Sequence, residues 1–270
     1  MFRGYNLKLE ELEFEEYLSF GQALYILQKN KVQKSLKKFL SPTGILNMTE
    51  LQENWFPQIE ADIFISHSHD DEDLATALSG WLNQTFGIKS FVDSCVWDYA
   101  NDLLRDIDDE YCTNEKGLYS YQSRNYSTSH VHMMLSTALA RMIDKTECLF
   151  FLNTPNSVTA KNVINEKTNS PWIYSEITVT EIIRKKIPDR HKSGSTKLFS
   201  KGGIVSLNES KKLKAEYILE LGHLTNIFDE DLTNWEDYFG SLQRDRTLTA
   251  LDCLYEQTPV NVKYNKLIHG

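Results

Sequence analysis

From Ala61 onward the chain alternates short apolar runs with amphipathic stretches of helical length, and that alternation confines the fold more than any other feature. The first run, Ala61–Ser66, ends at polar residues. Ile88–Val92, Glu147–Leu152 and Ala215–Leu221 follow. Runs of this length bounded by polar residues read as strands. Between them, Asp71–Phe86 carries a stripe of Leu74, Ala77, Leu78, Trp81 and Leu82, with Gly87 where a helix C-cap belongs. Tyr99–Asp109 reads as a short helix, and residues 111–128 as an irregular loop. Ser129 can cap a helix to about Lys145 that buries Val131, Leu135, Ala138, Leu139 and Met142. Ser170-Pro171 opens a further helix, running to about Lys186 and stopping before Pro188. Strands separated by such helices form a parallel sheet, here of about five strands, covered on both faces. Ligands of such sheets bind outside the carboxyl ends of the strands. That rule directs attention to residues 66–71, 93–98 and 153–156.

The flanks read differently. Leu9, Leu12, Leu18, Ala23, Leu24 and Leu27 form an uneven helical stripe, so residues 1–58 are expected to be a helical extension outside the sheet. The boundary is placed near Pro57, and a chain starting near Gln58 is expected to keep the sheet while assembling differently. Lys29, Lys31, Lys34, Lys37 and Lys38 form a basic patch that reads as a solvated face or as a contact surface. Ser41-Pro42-Thr43-Gly44 is a turn. Residues 59–270 are then one α/β domain with an inserted loop over 99–128, a polar connector over 187–202, and a helical C-terminal segment through Trp235 and Leu248–Tyr255.

Composition narrows the function classes. The net charge of −9 lacks the basic surplus of a duplex nucleic-acid binder. No window approaches the roughly twenty apolar residues of a membrane span. The first sixteen residues carry five glutamates and no apolar signal core, which speaks against a secretory leader. Cys95, Cys112, Cys148 and Cys253 are scattered without a CxxC pair, which suits reduced thiols and a cytoplasmic location.

Nucleotide phosphate loops of the GxGxxG and GxxxxGK[ST] kinds are absent. So is the GxSxG nucleophile elbow. His67-Ser-His69-Asp70-Asp71 partly matches the HxHxDH run of metal-dependent hydrolases, but Glu72 stands where the next histidine belongs, and no metal is expected. In Ser170-Pro-Trp-Ile-Tyr-Ser-Glu176-Ile177, Trp172 and Glu176 are four apart and project from one helix face. Ile173, Ile177, Thr180, Ile183 and Ile187 trace the neighbouring buried face. Glu176 thus sits at the border of an apolar stripe, where a carboxylate is partly desolvated. An exposed helix glutamate is the plainer alternative. Phe91-Val-Asp93 followed by Trp97-Asp98 is a second aromatic and acidic cluster.

Asp62-Ile-Phe-Ile-Ser-His67 resembles the opening strand of Toll/interleukin-1 receptor (TIR) domains, and Phe91-Val-Asp93 resembles their second strand with its terminal acid. Leu135–Leu139 running into Cys148–Leu152 resembles their third helix and fourth strand. Ser157 and the block from Ser170 to Ile177 resemble the segment in which a tryptophan precedes the family's catalytic glutamate. The likeness covers about half the chain and is closer to bacterial TIR proteins of antiviral defence, such as the Thoeris sensor-enzymes, than to receptor adaptors. It implies a flavodoxin-like α/β sheet, with the long loop and both helical flanks outside the family pattern. It implies cleavage of NAD, as substrate and not cofactor, at the bond between nicotinamide and ribose. The product is ADP-ribose or a cyclised signal that a downstream effector reads. Glu176 is then the catalytic carboxylate. Ser66, His67 and Asp93 are candidates to meet the ligand, and Trp97 or Trp172 to stack on its bases. Self-association is expected, with no nucleic-acid or membrane partner. A non-catalytic TIR scaffold acting by homotypic assembly is the alternative, and a metal-dependent hydrolase a third reading.

Overall fold

The computed structural model describes residues 1–10, 14–29, 36–40, 45–114, 117–158, 166–191, 216–242 and 248–259. The turn at 41–44, Lys31 and Lys34 of the basic patch, the side chains of Lys37 and Lys38, and most of the connector after His191 lie outside the described residues.

The strands of the main sheet are β1 (Arg3–Lys8), β2 (Ile63–Ser66), β3 (Ser90–Val92), β4 (Cys148–Leu152) and β7 (Thr225–Phe228). All its pairings are parallel, in the order β3-β2-β4-β1-β7. β4, with the sequence CLFFL, is buried along its whole length because it is central and covered on both faces. A two-stranded antiparallel ribbon, β5 (Lys167–Thr168) with β6 (Tyr217–Ile218), stands apart. The helices are α1 (Leu18–Lys29), α2 (Met48–Trp55), α3 (Glu72–Phe86), α4 (Ser94–Tyr111), α5 (Tyr121–Lys145), α6 (Pro171–Ile182), α7 (Asp229–Ser241) and α8 (Ala250–Gln257). The chain steps from β2 to β3 in one direction and from β3 to β4 in the other. Right-handed crossovers therefore set α3 and α5 on opposite faces. On the α3 face, Trp81 and Phe86 pack against Trp235 of α7, with the Phe86 and Trp235 rings stacked at 4.0 Å.

This is the expected flavodoxin-like α/β architecture, reached by an unexpected route. In the flavodoxin order 2-1-3-4-5, β3, β2 and β4 fill the first three places. The fourth is filled by β1, from the start of the chain. Residues 1–58 are therefore not a helical extension outside the sheet. β1 pairs with β4 from Arg3↔Cys148 to Leu7↔Leu152 and with β7 from Tyr5↔Thr225 to Lys8↔Phe228. Its core residues Tyr5 and Leu7 are fully buried. The N-terminal helix is equally integral. A Cβ at Gly21 would lie 2.0 Å from the Thr76 carbonyl oxygen, and one at Gly80 2.4 Å from that of Tyr17. Only glycines let α1 and α3 approach so closely.

Four further expectations change. Residues 99–128 are not an inserted loop, because α4 and α5 form a helical hairpin there. The α5 cap is Ser120, whose hydroxyl accepts from the Ser123 N–H, while Ser129 lies inside the helix and donates to the Asn125 carbonyl. Of the strand expected over 215–221, residues 216–221 are described and supply only the short β6, and the edge strand comes later as β7. α6 ends at Ile182 instead of near Lys186, and the Lys186 N–H donates to the Met1 carbonyl.

Candidate active site

Three strands deliver their carboxyl ends to one place. Ser66 closes β2 and His67 follows it. Asp93 follows β3 directly, and the 153–158 turn follows β4. The junction of β2 and β4 is where the strand order reverses, the position at which open α/β sheets bind ligands. α6 supplies the remaining carboxyl. Ser170 caps it by accepting from the Ile173 N–H, and Pro171 occupies the first turn. This start sets Ile173, Glu176, Ile177 and Thr180 on the buried face.

Glu176 is only 2% exposed. Its Oε2 accepts a hydrogen bond of 2.6 Å from the Ser66 hydroxyl. Asp93 is wholly buried and its carboxyl lies within hydrogen-bonding reach of that of Glu176. His67 is also wholly buried, with Nδ1 2.5 Å from Asp93 Oδ1. That approach is out of line for a hydrogen bond, so it is a close polar contact and not a formed one. The Trp97 ring, on the first turn of α4, stacks on His67 at 5.2 Å and 21° and also meets His69.

Burial dominates the electrostatics. It raises the Glu176 carboxyl well above its ordinary 4.5, and the Asp93 charge adds to this while the Ser66 hydroxyl opposes it. Burial raises Asp93 as well, opposed by its contact with Glu176 and by the backbone amides of Ser94 and His67. Burial lowers His67 to about 4, against the pull of Glu176, Glu72 and Asp71. The imidazole is therefore neutral at pH 7. Among the described residues, eight buried side-chain nitrogen and oxygen atoms have no hydrogen-bond partner. Six of these belong to His67, Asp93, Trp97 and Glu176. Unsatisfied buried groups concentrated in one spot call for an explanation beyond packing.

The structure thus brings together Ser66, His67, Asp93, Trp97 and Glu176. Trp172 stands elsewhere, packing edge-on against His132 of α5 at 5.5 Å. The histidines of the HxHxD run diverge, His67 facing inward and His69 exposed. Among the described residues, no three His, Cys, Asp or Glu side chains are placed to hold a metal ion. The four cysteines are buried and unpaired with one another.

Two features go beyond the residue-level assignments made from the sequence. Asp71 ties the turn after β2 to the turn after β4, accepting from the Thr154 hydroxyl at 2.5 Å and the Asn156 amide at 2.7 Å. Asn6 of β1 joins Asn226 and Asn153 in an amide chain that reaches Glu166. The second was invisible because β1 itself was not foreseen. A cleft of about 840 Å³ lies between α4, α5 and the segment before α2, and shares no residue with the carboxyl cluster.

Comparison of the chain with family models, with curated proteins and with solved structures gives no match. Among the described residues, no helix is long and apolar enough to cross a membrane.

Proposed function

We propose that the chain is an NAD-consuming enzyme of the TIR type, cleaving the bond between nicotinamide and ribose. One observation carries this reading: two buried carboxyl groups, Asp93 and Glu176, meet at the strand-order reversal with a neutral histidine and, among the described residues, no lysine or arginine paired with them. Such a pocket is complementary to positive charge. When the C–N bond breaks, its electron pair passes to the nicotinamide nitrogen, which was already cationic and needs no acid. The ribosyl carbon is left oxocarbenium-like, as in glycoside hydrolysis. A carboxylate held in a dry site stabilises that charge without reorganising. The Ser66 hydroxyl fixes the orientation of Glu176. Water attacking the cation gives ADP-ribose, and attack by the nucleotide's own adenine gives a cyclic product. Trp97 presents a half-buried ring beside the acids, whereas the position of Trp172 against His132 suits support of α6. A cytoplasmic setting, self-association and a downstream effector that reads the product belong to the same reading, as does a role in antiviral defence.

The closed state of Glu176 favours a second reading, a non-catalytic scaffold in which the glutamate only holds α6 to the sheet. The test is nicotinamide release from NAD by wild type, Glu176→Gln and Glu181→Gln. Glu181 is exposed on the same helix. Glu176→Gln should lose a factor of about a hundred to a thousand, the usual effect of removing one electrostatic stabiliser, while Glu181→Gln stays near wild type. Near-wild-type turnover in Glu176→Gln sinks the catalytic reading. Equal losses accompanied by lower thermal stability support the scaffold.

A further inference from the structure

Two carboxylates offer only acceptors, so they cannot face each other in a dry site unless a proton lies between them. Asp93 and Glu176 are in that position. Asp93 is approached by the backbone amides of Ser94 and His67 and by His67 Nδ1, but no side chain donates a formed hydrogen bond to it or to Glu176 Oε1, and Glu176 Oε2 is served by Ser66. Among the described residues, no lysine or arginine pairs with either carboxyl to hold two negative charges. From β2 the cluster faces Ser66 and His67, and from α4 Trp97. The start of α3 brings Asp71 and Glu72, which add further negative charge. α5 faces α6 with His132, which is engaged by Trp172. The β5–β6 ribbon brings the Lys167–Glu216 ion pair and Tyr217, which stacks on Tyr174. His223 meets α6 at Thr180, 2.7 Å away.

We propose that Asp93 and Glu176 share a proton across their facing carboxyl groups, and that Asp93 is thereby the positioning residue that decides when Glu176 becomes a carboxylate. The pair titrates as a unit, in two separated steps belonging to both residues. In the closed site it holds its proton, which keeps the buried charge low. A bound cation displaces that proton to bulk water, leaving Glu176 charged beside the ribose. The catalytic half of this inference rests on the NAD-cleaving reading. The shared proton does not.

The experiment separates the two. With Asp and Glu labelled at the carboxyl carbon, NMR titration of the wild-type chain should show two coupled carboxyls, the upper step well above the ordinary glutamate range. In Asp93→Asn the coupling should vanish, and Glu176 should titrate lower by about one pH unit or more, the threshold for strong coupling. Glu176→Gln is the reciprocal variant and should likewise abolish the coupling, leaving Asp93 with a single titration step. It keeps the test open if Asp93→Asn fails to fold. The acid limb of the nicotinamide-release profile should move with Glu176 in Asp93→Asn. Two ordinary, independent carboxyl titrations in wild type would overturn the shared proton. An acid limb unmoved in Asp93→Asn would overturn the role of Asp93. A coupled titration in a chain that releases no nicotinamide would uphold the shared proton and reject the reaction.

Discussion

Removing residues 1–10 tests the placement of the first strand most severely. The deletion takes away β1 and the side chains of Met1, Tyr5 and Leu7, each no more than 1% exposed. Burial of a large apolar side chain contributes about 1.5–3 kcal/mol, so these three contribute about 5–9 kcal/mol. The loss also cuts Arg3 Nη1 donating to the Thr258 carbonyl at 2.7 Å and the 2.9 Å contact of the Tyr5 and Thr258 hydroxyls. It leaves β4 and β7 with bare edges, which promotes association. A typical domain holds only about 5–15 kcal/mol in total. The shortened chain should therefore show no cooperative thermal transition by circular dichroism and should aggregate. Tyr5→Ala in the full chain should retain the transition but lower it, since an aromatic-to-alanine change in a core costs about 3–5 kcal/mol. A soluble shortened chain melting within a few degrees of wild type would refute the strand's place in the sheet.

Two further outcomes follow from the same packing and burial. Gly21→Leu forces a side chain into the Thr76 backbone and should cost about 1–3 kcal/mol, the usual penalty of overpacking, read as a lower denaturation midpoint; an unchanged midpoint would show that α1 does not dock on α3. The pH dependence of stability also has a definite sign. The raised carboxyls contribute stability that is fully present below about 4.5 and lost as pH rises through their folded values, whereas the lowered His67 contributes stability that is lost as pH falls from 6.5 towards about 4. The two oppose each other below 6.5. The difference between wild type and Glu176→Gln isolates the carboxyl: with rising pH the midpoint should fall more, or rise less, in wild type than in Glu176→Gln; parallel profiles would refute the raised carboxyl.

The sequence made legible those elements whose pattern is local. β2 and β4 are unbroken apolar runs, and α3 ends at Gly87, with φ of 71° as a left-handed cap requires. Ser170 and Pro171 marked α6 correctly, and with it the buried face that carries Glu176. β1 was hidden because Gly4 and Asn6 interrupt its apolar residues, and their fitness for the sheet depends on distant partners. Gly4 faces Leu224, and Asn6 is satisfied by Asn153 and Asn226. The first half of α5 was hidden because residues 121–130 are mostly exposed and rich in Ser, Asn and Tyr, poor helix formers that tertiary packing overrides. Asp93 and Glu176 could each be singled out from the sequence. Their meeting could not, since it depends on where β3 and α6 end in space.

The position of β1 also orders events in time. It is made before the other strands of its sheet, yet its partners begin at residues 148 and 225. At about 5–20 residues per second, roughly 10–45 s separate its emergence from that of β7. Until then β2, β3 and β4 can assemble among themselves, but the first-made strand has no completed slot to enter. Closure of the sheet is therefore a late, long-range event with a high entropic cost of loop formation. The half-formed intermediate displays the open edge of β4, so a nascent chain of this design depends on shielding of that edge until the beginning of the chain comes back to cover it.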